Sequence, residues 1–185
     1  DVYKRQLLGI SMMSAADESP IAIALHGGAG TIERGAMSKE LEATYRAFLD
    51  DAITSGYEQL SEGRSGLDAV VTVIQMMEDS PLFNAGRGAV YTWDGTHELD
   101  ASIMHGENLD AGAVAGVSTV KSPIALARAV MEDSPHVLLA GSGAEAFAQE
   151  QGFDPVSPEY FGTERRREAL EAYKANDQAG LKPEA

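Results

Sequence analysis

Met77-Glu78-Asp79-Ser80-Pro81-Leu82-Phe83-Asn84-Ala85-Gly86-Arg87-Gly88 is the stretch around which the chain is organised. Ser80-Pro81 ends a helical pattern, and the two glycines of Gly86-Arg87-Gly88 lead into a strand-like run. Proline restricts the residue before it and glycine permits backbone angles that other residues avoid, so we predict an irregular loop with one held shape. A fixed amide at Asn84 can form the wall of a site. From these residues alone, an ordinary helix-to-strand connection with a surface asparagine is the simpler interpretation.

Two amphipathic helices are predicted before this loop. The first begins at Ser38, a suitable cap, and its apolar spacing runs to Gly56 and can continue to a stop at Gly63. The second covers residues 65–77 and carries few charges, which predicts deeper burial.

A glycine-rich motif, His26-Gly27-Gly28-Ala29-Gly30, follows the short apolar run at residues 21–25, which is typical of a buried strand. Its spacing fits neither a phosphate loop nor a dinucleotide fingerprint. A lipase-type oxyanion loop would need a Gly-x-Ser-x-Gly elbow, which the sequence lacks. A backbone scaffold in another kind of amidase and a simple tight turn with a packed His26 both stay open.

An antiparallel sheet is predicted after the central loop. Short strand-like segments at residues 89–92, 97–105 and 111–117 are joined by turns, one of them at Asp94-Gly95. Small residues in the last segment indicate that another layer packs close to it. Asp100 is expected to be buried and therefore paired. His97 and His105 share a strand face by parity, far apart, which disfavours a metal site built from them.

Helices dominate the rest of the chain. We expect a helix at residues 123–132, a short buried strand at residues 137–139, a helix at residues 144–151 and a last helix that starts near Ser157-Pro158. Residues 176–185 are polar and are expected to form a mobile tail. Residues 1–19 are expected to be a loose lead-in, and those before Met12 an expression or gene-calling remnant.

Composition limits the function classes. A chain of 185 residues with 44% apolar and 23% charged residues indicates one soluble globular domain. The net charge of −15 weighs against nucleic acid and anionic membranes as partners. Without cysteine, disulfides, thiolate zinc sites and a cysteine nucleophile are excluded. No apolar run reaches membrane-spanning length and no convincing signal peptide is found, so we expect a cytoplasmic protein.

Four stretches, in this order, resemble the α subunit of plant-type L-asparaginases, also called isoaspartyl peptidases. They are Leu25-His26-Gly27-Gly28-Ala29-Gly30, Ser80-Pro81-Leu82-Phe83-Asn84-Ala85-Gly86-Arg87-Gly88, His97-Glu98-Leu99-Asp100-Ala101-Ser102 and Ala111-Gly112-Ala113-Val114-Ala115-Gly116-Val117. The resemblance covers roughly residues 20–161, and the four motifs together are specific, although each alone is weak. It assigns residues 20–175 to the α subunit.

The resemblance implies an α+β fold, the four-layer αββα sandwich of the N-terminal nucleophile hydrolases. In that family a precursor cuts itself, and the new N-terminal threonine of the β subunit becomes the nucleophile. The two sheets are shared between the subunits, and dimers of αβ pairs are expected. The implied substrates are asparagine and β-aspartyl dipeptides, which release aspartate, and no organic cofactor is implied.

The resemblance also implies roles for residues of this chain. Asn84 matches the asparagine that borders the active site and helps to position the nucleophile. Gly27 and Gly28 match the glycine loop that packs against the nucleophile. A structural sodium ion is expected to be ringed by main-chain carbonyls, which are suitable ligands for a hard cation. The residues that match its ligands are Met77, Glu78, Ser80, Phe83, Ala85 and Arg87.

One departure from the family pattern concerns the cleavage point. The only late Gly-Thr pair, Gly162-Thr163, lies too early and is followed by charged residues. We therefore expect either that the cleavage point lies beyond residue 185 or that the residues leading to it are missing from this sequence, and we expect the chain to be inert on its own. Glycosylasparaginase and threonine aspartase types are alternatives within the same superfamily. A non-catalytic domain whose glycine loop cradles an anion is the alternative from a different class.

Overall fold

The computed structural model describes residues 20–28 and 37–179. Helices α1 and α2 are followed by strands β1 and β2, helix α3, strand β3, helix α4, a short 3-10 helix and helix α5. The bounds are α1 Lys39–Ser61, α2 Gly66–Asp79, β1 Leu99–Met104, β2 Ala111–Val117, α3 Pro123–Asp133, β3 Leu138–Ala140, α4 Gly141–Glu150, the 3-10 helix Pro158–Phe161 and α5 Glu164–Gln178. The chain is therefore α+β, as predicted.

Side-chain caps fix where the first two helices begin. Ser38 accepts a hydrogen bond from the N–H of Leu41, and Ser65 accepts one from the N–H of Asp68, both at 3.1 Å. These bonds satisfy donors that a helix N-terminus leaves unpaired, so the predicted starts are confirmed. The predicted later helices are also present, but the predicted start of the last one is wrong. Pro158–Phe161 forms a separate 3-10 helix, and α5 runs from Glu164 to Gln178, into the segment predicted as a tail.

The three strands form one sheet in the order β1-β2-β3. β1 and β2 are antiparallel, with an irregularity between Leu99 and Ala101, and β2 and β3 are parallel. The carboxylate of Asp100 accepts a hydrogen bond of 2.8 Å from the N–H of Gly116, which has a φ of 63°. Asp100 is exposed, so its predicted burial is wrong, while its pairing is present. It closes the irregular part of the β1–β2 pair.

Helices α3 and α4 cover one face of this sheet. Val114 and Val117 of β2 are buried there against Leu126 and Val130 of α3. Gly112 permits the close approach, because a Cβ atom at that position would collide with the carbonyl oxygen of Ala127 and would lie 2.6 Å from the N of Met131. The predicted close layer is therefore α3.

The opposite face of the sheet is not covered by any of the described residues. The side chains of Met104 and Leu138 lie there and are 57% and 55% exposed, so the predicted burial of the short strand at residues 137–139 is wrong. Ala113 and Ala115 lie beside them, in register with Leu138 and Ala140 of β3. The sheet thus has one buried face and one open, mainly apolar face.

Two predicted strands do not form. Residues 20–28 have no strand partner among the described residues, and Ile21 is exposed, so the predicted buried strand at residues 21–25 is wrong. A strand needs a neighbour for its backbone hydrogen bonds, and this run instead lies with Ile23 against Gly56 of α1. Residues 89–92 are irregular as well, although the predicted turn at Asp94-Gly95 is present.

Among the described residues, we find no helix with the length and apolar character needed to cross a membrane.

Candidate active site

The loop at residues 77–88 folds back on itself. The N–H of Arg87 donates to the carbonyl of Glu78 at 2.7 Å. A Cβ atom at Gly86 would lie 2.5 Å from that same carbonyl oxygen, and one at Gly88, where φ is 93°, would lie 2.6 Å from the carbonyl of Pro81. Neither position has room for a side chain, so both glycines are required for this closed shape.

Asn84 lies at the exposed tip of this loop. Its side-chain Oδ1 accepts a hydrogen bond of 2.8 Å from the N–H of Val90, beyond the loop. The amide oxygen therefore accepts a bond within the chain, whereas the amide NH₂ group has no hydrogen-bonding partner in residues 20–28 and 37–179. The orientation of Asn84 is fixed by its own backbone neighbourhood.

Phe83, the residue before Asn84, attaches the loop to α1. Its ring is 4% exposed and packs edge-on against Tyr45, with ring centroids 5.7 Å apart, and against Phe48 at 5.0 Å. The hydroxyl of Tyr45 also donates to the carbonyl of Leu82 at 2.7 Å. These contacts hold the loop by buried aromatic surface as well as by hydrogen bonds.

The glycine motif lies next to this loop. A Cβ atom at Gly27 would be 3.5 Å from Leu49 Cδ1 and 3.8 Å from Phe83 Cε1. Gly28 has a φ of 115°, and its N–H donates to His26 Nδ1 at 3.2 Å. His26 is exposed, in contrast to the packed histidine of the tight-turn interpretation. The structure thus brings Gly27 and Gly28 beside the segment that carries Asn84, while Ala29 and Gly30 lie outside the described residues.

The side chain of Glu78 is an unexpected part of this region. It is 2% exposed at the end of α2, and it accepts hydrogen bonds from the Ser122 hydroxyl at 2.6 Å and from the Ile124 N–H at 2.8 Å. Burial raises the pKa of Glu78 to about 7, although both donors act in the opposite direction. The carboxyl group ties the start of the loop to the N-terminus of α3.

The six residues matched to a sodium site all lie on the folded loop. Their main-chain oxygens are the proposed ligands, and a carbonyl oxygen has two lone pairs, so the bond from Arg87 N–H leaves one free on Glu78. The side chain of Arg87 is exposed and does not occupy the loop interior. Within residues 20–28 and 37–179, no group of three or more His, Cys, Asp or Glu side chains is arranged to hold a metal. A carbonyl-ringed ion stays a prediction.

His97 does not lie where the sequence predicted. It was predicted to share a strand face with His105, but it lies before β1 and is 2% exposed. Its Nδ1 is 3.1 Å from the carbonyl oxygen of Val90, the residue that bonds Asn84. His105 instead contacts Asn108 Oδ1 at 3.0 Å in the β1–β2 turn.

Gly88, the last residue of the loop, is also anchored to the last part of the chain. The N–H of Gly88 donates to the carbonyl of Phe161 at 2.7 Å, and Nε of Arg166 in α5 donates to the carbonyl of Gly88 at 2.8 Å. Burial lowers the pKa of Arg166, with a smaller effect from Arg165 in the same direction. Both the N–H and the carbonyl group of Gly88, at the end of the loop, are therefore hydrogen-bonded to the C-terminal part of the chain.

The sequence matches the model of a protein family described as Asparaginase over residues 19–184. The chain belongs to the asparaginase family. This confirms the family predicted from the four motifs.

Curated members of the asparaginase family align with most of this chain. It is 54% identical to the isoaspartyl peptidase of Salmonella typhimurium over 159 residues, which are 86% of this chain and 51% of that protein. It is 51% identical to the isoaspartyl peptidase of Escherichia coli over 148 residues, with 80% and 46% covered. The plant-type L-asparaginase of Pyrococcus furiosus is 48% identical over 151 residues, with 82% and 47% covered. This asparaginase-family chain spans about half the length of these relatives.

In this asparaginase-family chain, the predicted site residues fall into two groups. Asn84 and Gly27, which are far apart in sequence, lie on neighbouring segments, because the ring of Phe83 lies next to Gly27. The structural roles of the Glu78 and His97 side chains were not predicted. The family motif assigned a role only to the main-chain carbonyl of Glu78. An acid at the end of an apolar helix, where the helix dipole disfavours negative charge, was the available signal for Glu78.

Proposed function

We propose that this chain is the α subunit of an enzyme that hydrolyses β-aspartyl dipeptides and L-asparagine and releases aspartate. The single observation that carries the proposal is the amide of Asn84, which is held by the Val90 N–H and directly follows Phe83, the residue whose ring lies next to Gly27. The names of relatives that are 43–54% identical, isoaspartyl peptidase and plant-type L-asparaginase, support the choice of reaction.

The nucleophile in this proposal is the N-terminal threonine of a β subunit, produced when the precursor cuts itself. Its α-amine, whose basicity is close to neutral, takes the proton from the hydroxyl as the hydroxyl oxygen attacks the amide carbon. The leaving nitrogen then takes up a proton, and water releases aspartate from the acyl-enzyme. The NH₂ of Asn84, which no described residue pairs with, is suited to donate a hydrogen bond to the threonine oxygen and hold it in line.

A β subunit would cover the surfaces that this chain leaves open. The uncovered sheet face around Met104 and Leu138 is mainly apolar, as expected for a surface that packs against a second sheet. The apolar run at residues 21–25 also has no strand partner among the described residues. Both features support a four-layer αββα sandwich shared between two polypeptides, with dimers of αβ pairs as the assembled form.

A structural sodium ion completes the proposal. The main-chain oxygens of the closed loop form a donor set of the hard type that alkali and alkaline-earth cations prefer. The loop has no space for Cβ atoms at Gly86 and Gly88, which would lie against the carbonyl oxygens of Glu78 and Pro81, so its backbone is tightly closed. A cation there would offset the repulsion between the oxygens and stiffen the backbone that carries Asn84. It would supply no chemistry to the reaction itself.

The proposal is tested on the full gene product. We expect mass spectrometry to detect two fragments, the second beginning with threonine, and we expect hydrolysis of both asparagine and a β-aspartyl dipeptide. A single uncut chain without activity would favour the anion-binding alternative. Activity restricted to glycosylated asparagine, or to protein substrates cut after aspartate, would favour the glycosylasparaginase or threonine aspartase type.

Replacement of Asn84 tests the site. Asn84→Ala is expected to lower kcat at least ~10-fold, about 1.4 kcal/mol, with little change in melting temperature, because the side chain is exposed. Asn176→Ala, an exposed asparagine on α5, is the matched control and should behave as the parent. An undiminished rate in Asn84→Ala would remove Asn84 from the site.

A further inference from the structure

Two side chains hold the two backbone polar groups of Val90. Its N–H donates to Asn84 Oδ1 at 2.8 Å, and its carbonyl oxygen lies 3.1 Å from His97 Nδ1. A displacement of the Val90 backbone would therefore move or break its hydrogen bond to the amide of Asn84. His97 has no other hydrogen-bonding partner among the described residues, so this contact is its polar connection to the fold.

The chemistry of this contact fixes the tautomer of His97. A carbonyl oxygen only accepts hydrogen bonds, so Nδ1 carries the hydrogen and Nε2 holds the lone pair. Nε2 is buried and has no hydrogen-bonding partner in the described part of the chain. Burial lowers the pKa of His97, which keeps the ring neutral at neutral pH even though the bond to Val90 acts in the opposite direction.

The surroundings of the ring restrict how it can turn. The Tyr91 ring lies over it with centroids 4.1 Å apart, and Phe161 packs edge-on at 6.1 Å. A Cβ atom at Gly162 would be 3.5 Å from Nε2. With aromatic walls on two sides and a backbone segment at the far nitrogen, the imidazole is held with Nδ1 toward Val90. An unsatisfied buried nitrogen is a cost that the fold tolerates here.

We propose that His97 is a positioning residue, which fixes the backbone of Val90 and through it the side chain of Asn84. The inference rests on the proposed function, because it assigns His97 to the site that Asn84 serves. His97 itself does not touch the substrate. Its effect on the reaction is transmitted by two hydrogen bonds in series, with the Val90 backbone between them.

Two substitutions of similar volume separate this role from simple packing. His97→Asn can place its side-chain NH₂ near the position of Nδ1 and keep the bond to the Val90 carbonyl. The leucine of His97→Leu has nearly the same size and shape as asparagine but no hydrogen-bond donor. Both variants lose the aromatic ring and its contacts with Tyr91 and Phe161, so the loss of packing is shared between them.

The first experiment compares steady-state kinetics of the two variants in the full gene product with a β-aspartyl dipeptide. We expect kcat of His97→Leu to be about 10-fold below that of His97→Asn, about 1.4 kcal/mol, with similar KM and similar melting temperatures. Equal kcat in the two variants, both folded, would overturn the inference and leave His97 as a packing residue.

A second readout does not depend on activity. Amide hydrogen exchange at Val90 is expected to be several-fold faster in His97→Leu than in His97→Asn, because the backbone bonded to Asn84 is less restrained. If the parent protein hydrolyses neither substrate, the proposed function fails, and the exchange rates alone decide whether His97 restrains Val90. Equal exchange rates would contradict that restraint.

A third measurement covers the case in which neither variant folds. Nitrogen NMR shifts of the His97 ring in the unsubstituted protein report which nitrogen is protonated. Protonation of Nδ1 is the expected result, because the Val90 carbonyl can only accept. A ring that carries its hydrogen on Nε2 would have no donor for Val90 and would overturn the inference.

Discussion

Glu78 gives the protein a pH dependence of stability whose sign and size follow from its burial. Its pKa is raised from an ordinary value of 4.5 to about 7, so over this range the folded state binds a proton that the unfolded state releases. The contribution to stability is fully present below 4.5 and is lost as the pH rises through about 7. The difference of about 2.5 between the two pKa values corresponds to about 3 kcal/mol in the free energy of unfolding.

The assay is urea unfolding of the parent and of Glu78→Gln at a series of pH values between about 5 and 8. Glutamine does not ionise, yet its amide oxygen can still accept from the Ile124 N–H. The unfolding free energy of the parent minus that of the variant should fall by about 2.5 kcal/mol between pH 5 and 8, because part of the full effect is already lost at pH 5. The sodium concentration is held constant. His97, whose lowered pKa destabilises the fold below about 6.5, is present in both proteins and cancels in the difference.

Glu145→Gln is the matched control. Glu145 in α4 is only partly buried and accepts hydrogen bonds from the N–H groups of Ser118 and Thr119 and from the Ser118 hydroxyl. Partial burial acts to raise the pKa of Glu145, but the bonds from Ser118 and Thr119 outweigh it and hold that pKa below 4.5. Its stabilising effect is present above 4.5 and is lost only as the pH falls further, so its difference from the parent should be flat between pH 5 and 8. Parallel curves for the parent and Glu78→Gln would refute the reasoning about Glu78.

Three further outcomes are expected. Gly112→Ala should lower the free energy of unfolding, measured in urea, by about 3 kcal/mol, because the added Cβ would collide with α3. Gly66→Ala, at a position with open space, is the control and should be nearly neutral. Similar losses in the two variants would argue against the close contact. Asn84→Asp should keep an acceptor for Val90 but lose the donor, so kcat should fall at least ~10-fold while amide exchange at Val90 is unchanged; a parent-like kcat would show that the NH₂ group is not used. Replacing sodium with tetramethylammonium should lower both melting temperature and hydrolysis, and added sodium should restore them; no change would exclude a bound ion.

Features set by neighbouring residues were predictable from the sequence. Ser38 and Ser65 bond backbone groups three residues ahead, and the turn at Asp94-Gly95 depends on the positive φ of one glycine. The bounds of β2 at Ala111–Val117 were also predicted, because a run of small apolar residues between turns has few alternatives. In each case the determining contacts lie within a few residues.

Features set by distant partners were not predictable. The carboxyl group of Glu78 accepts a hydrogen bond from Ile124, which is 46 residues away, and no local sequence pattern indicates that contact. The run at residues 21–25 has the composition of a strand, but strand formation depends on a neighbour, and none of the described residues provides one. His97 was assigned by strand parity, which does not apply because β1 begins two residues later, at Leu99.

The open face of the sheet has a consequence for biosynthesis. A polypeptide with such an exposed apolar surface would be prone to aggregate before it met a separately synthesised partner. If both halves are translated as one chain and cut afterwards, the tether gives the covering half a local concentration in the millimolar range from the moment it emerges from the ribosome. Late scission would then protect solubility as well as liberate a reactive end group, and splitting the gene into two co-expressed halves should yield more aggregate than the intact gene.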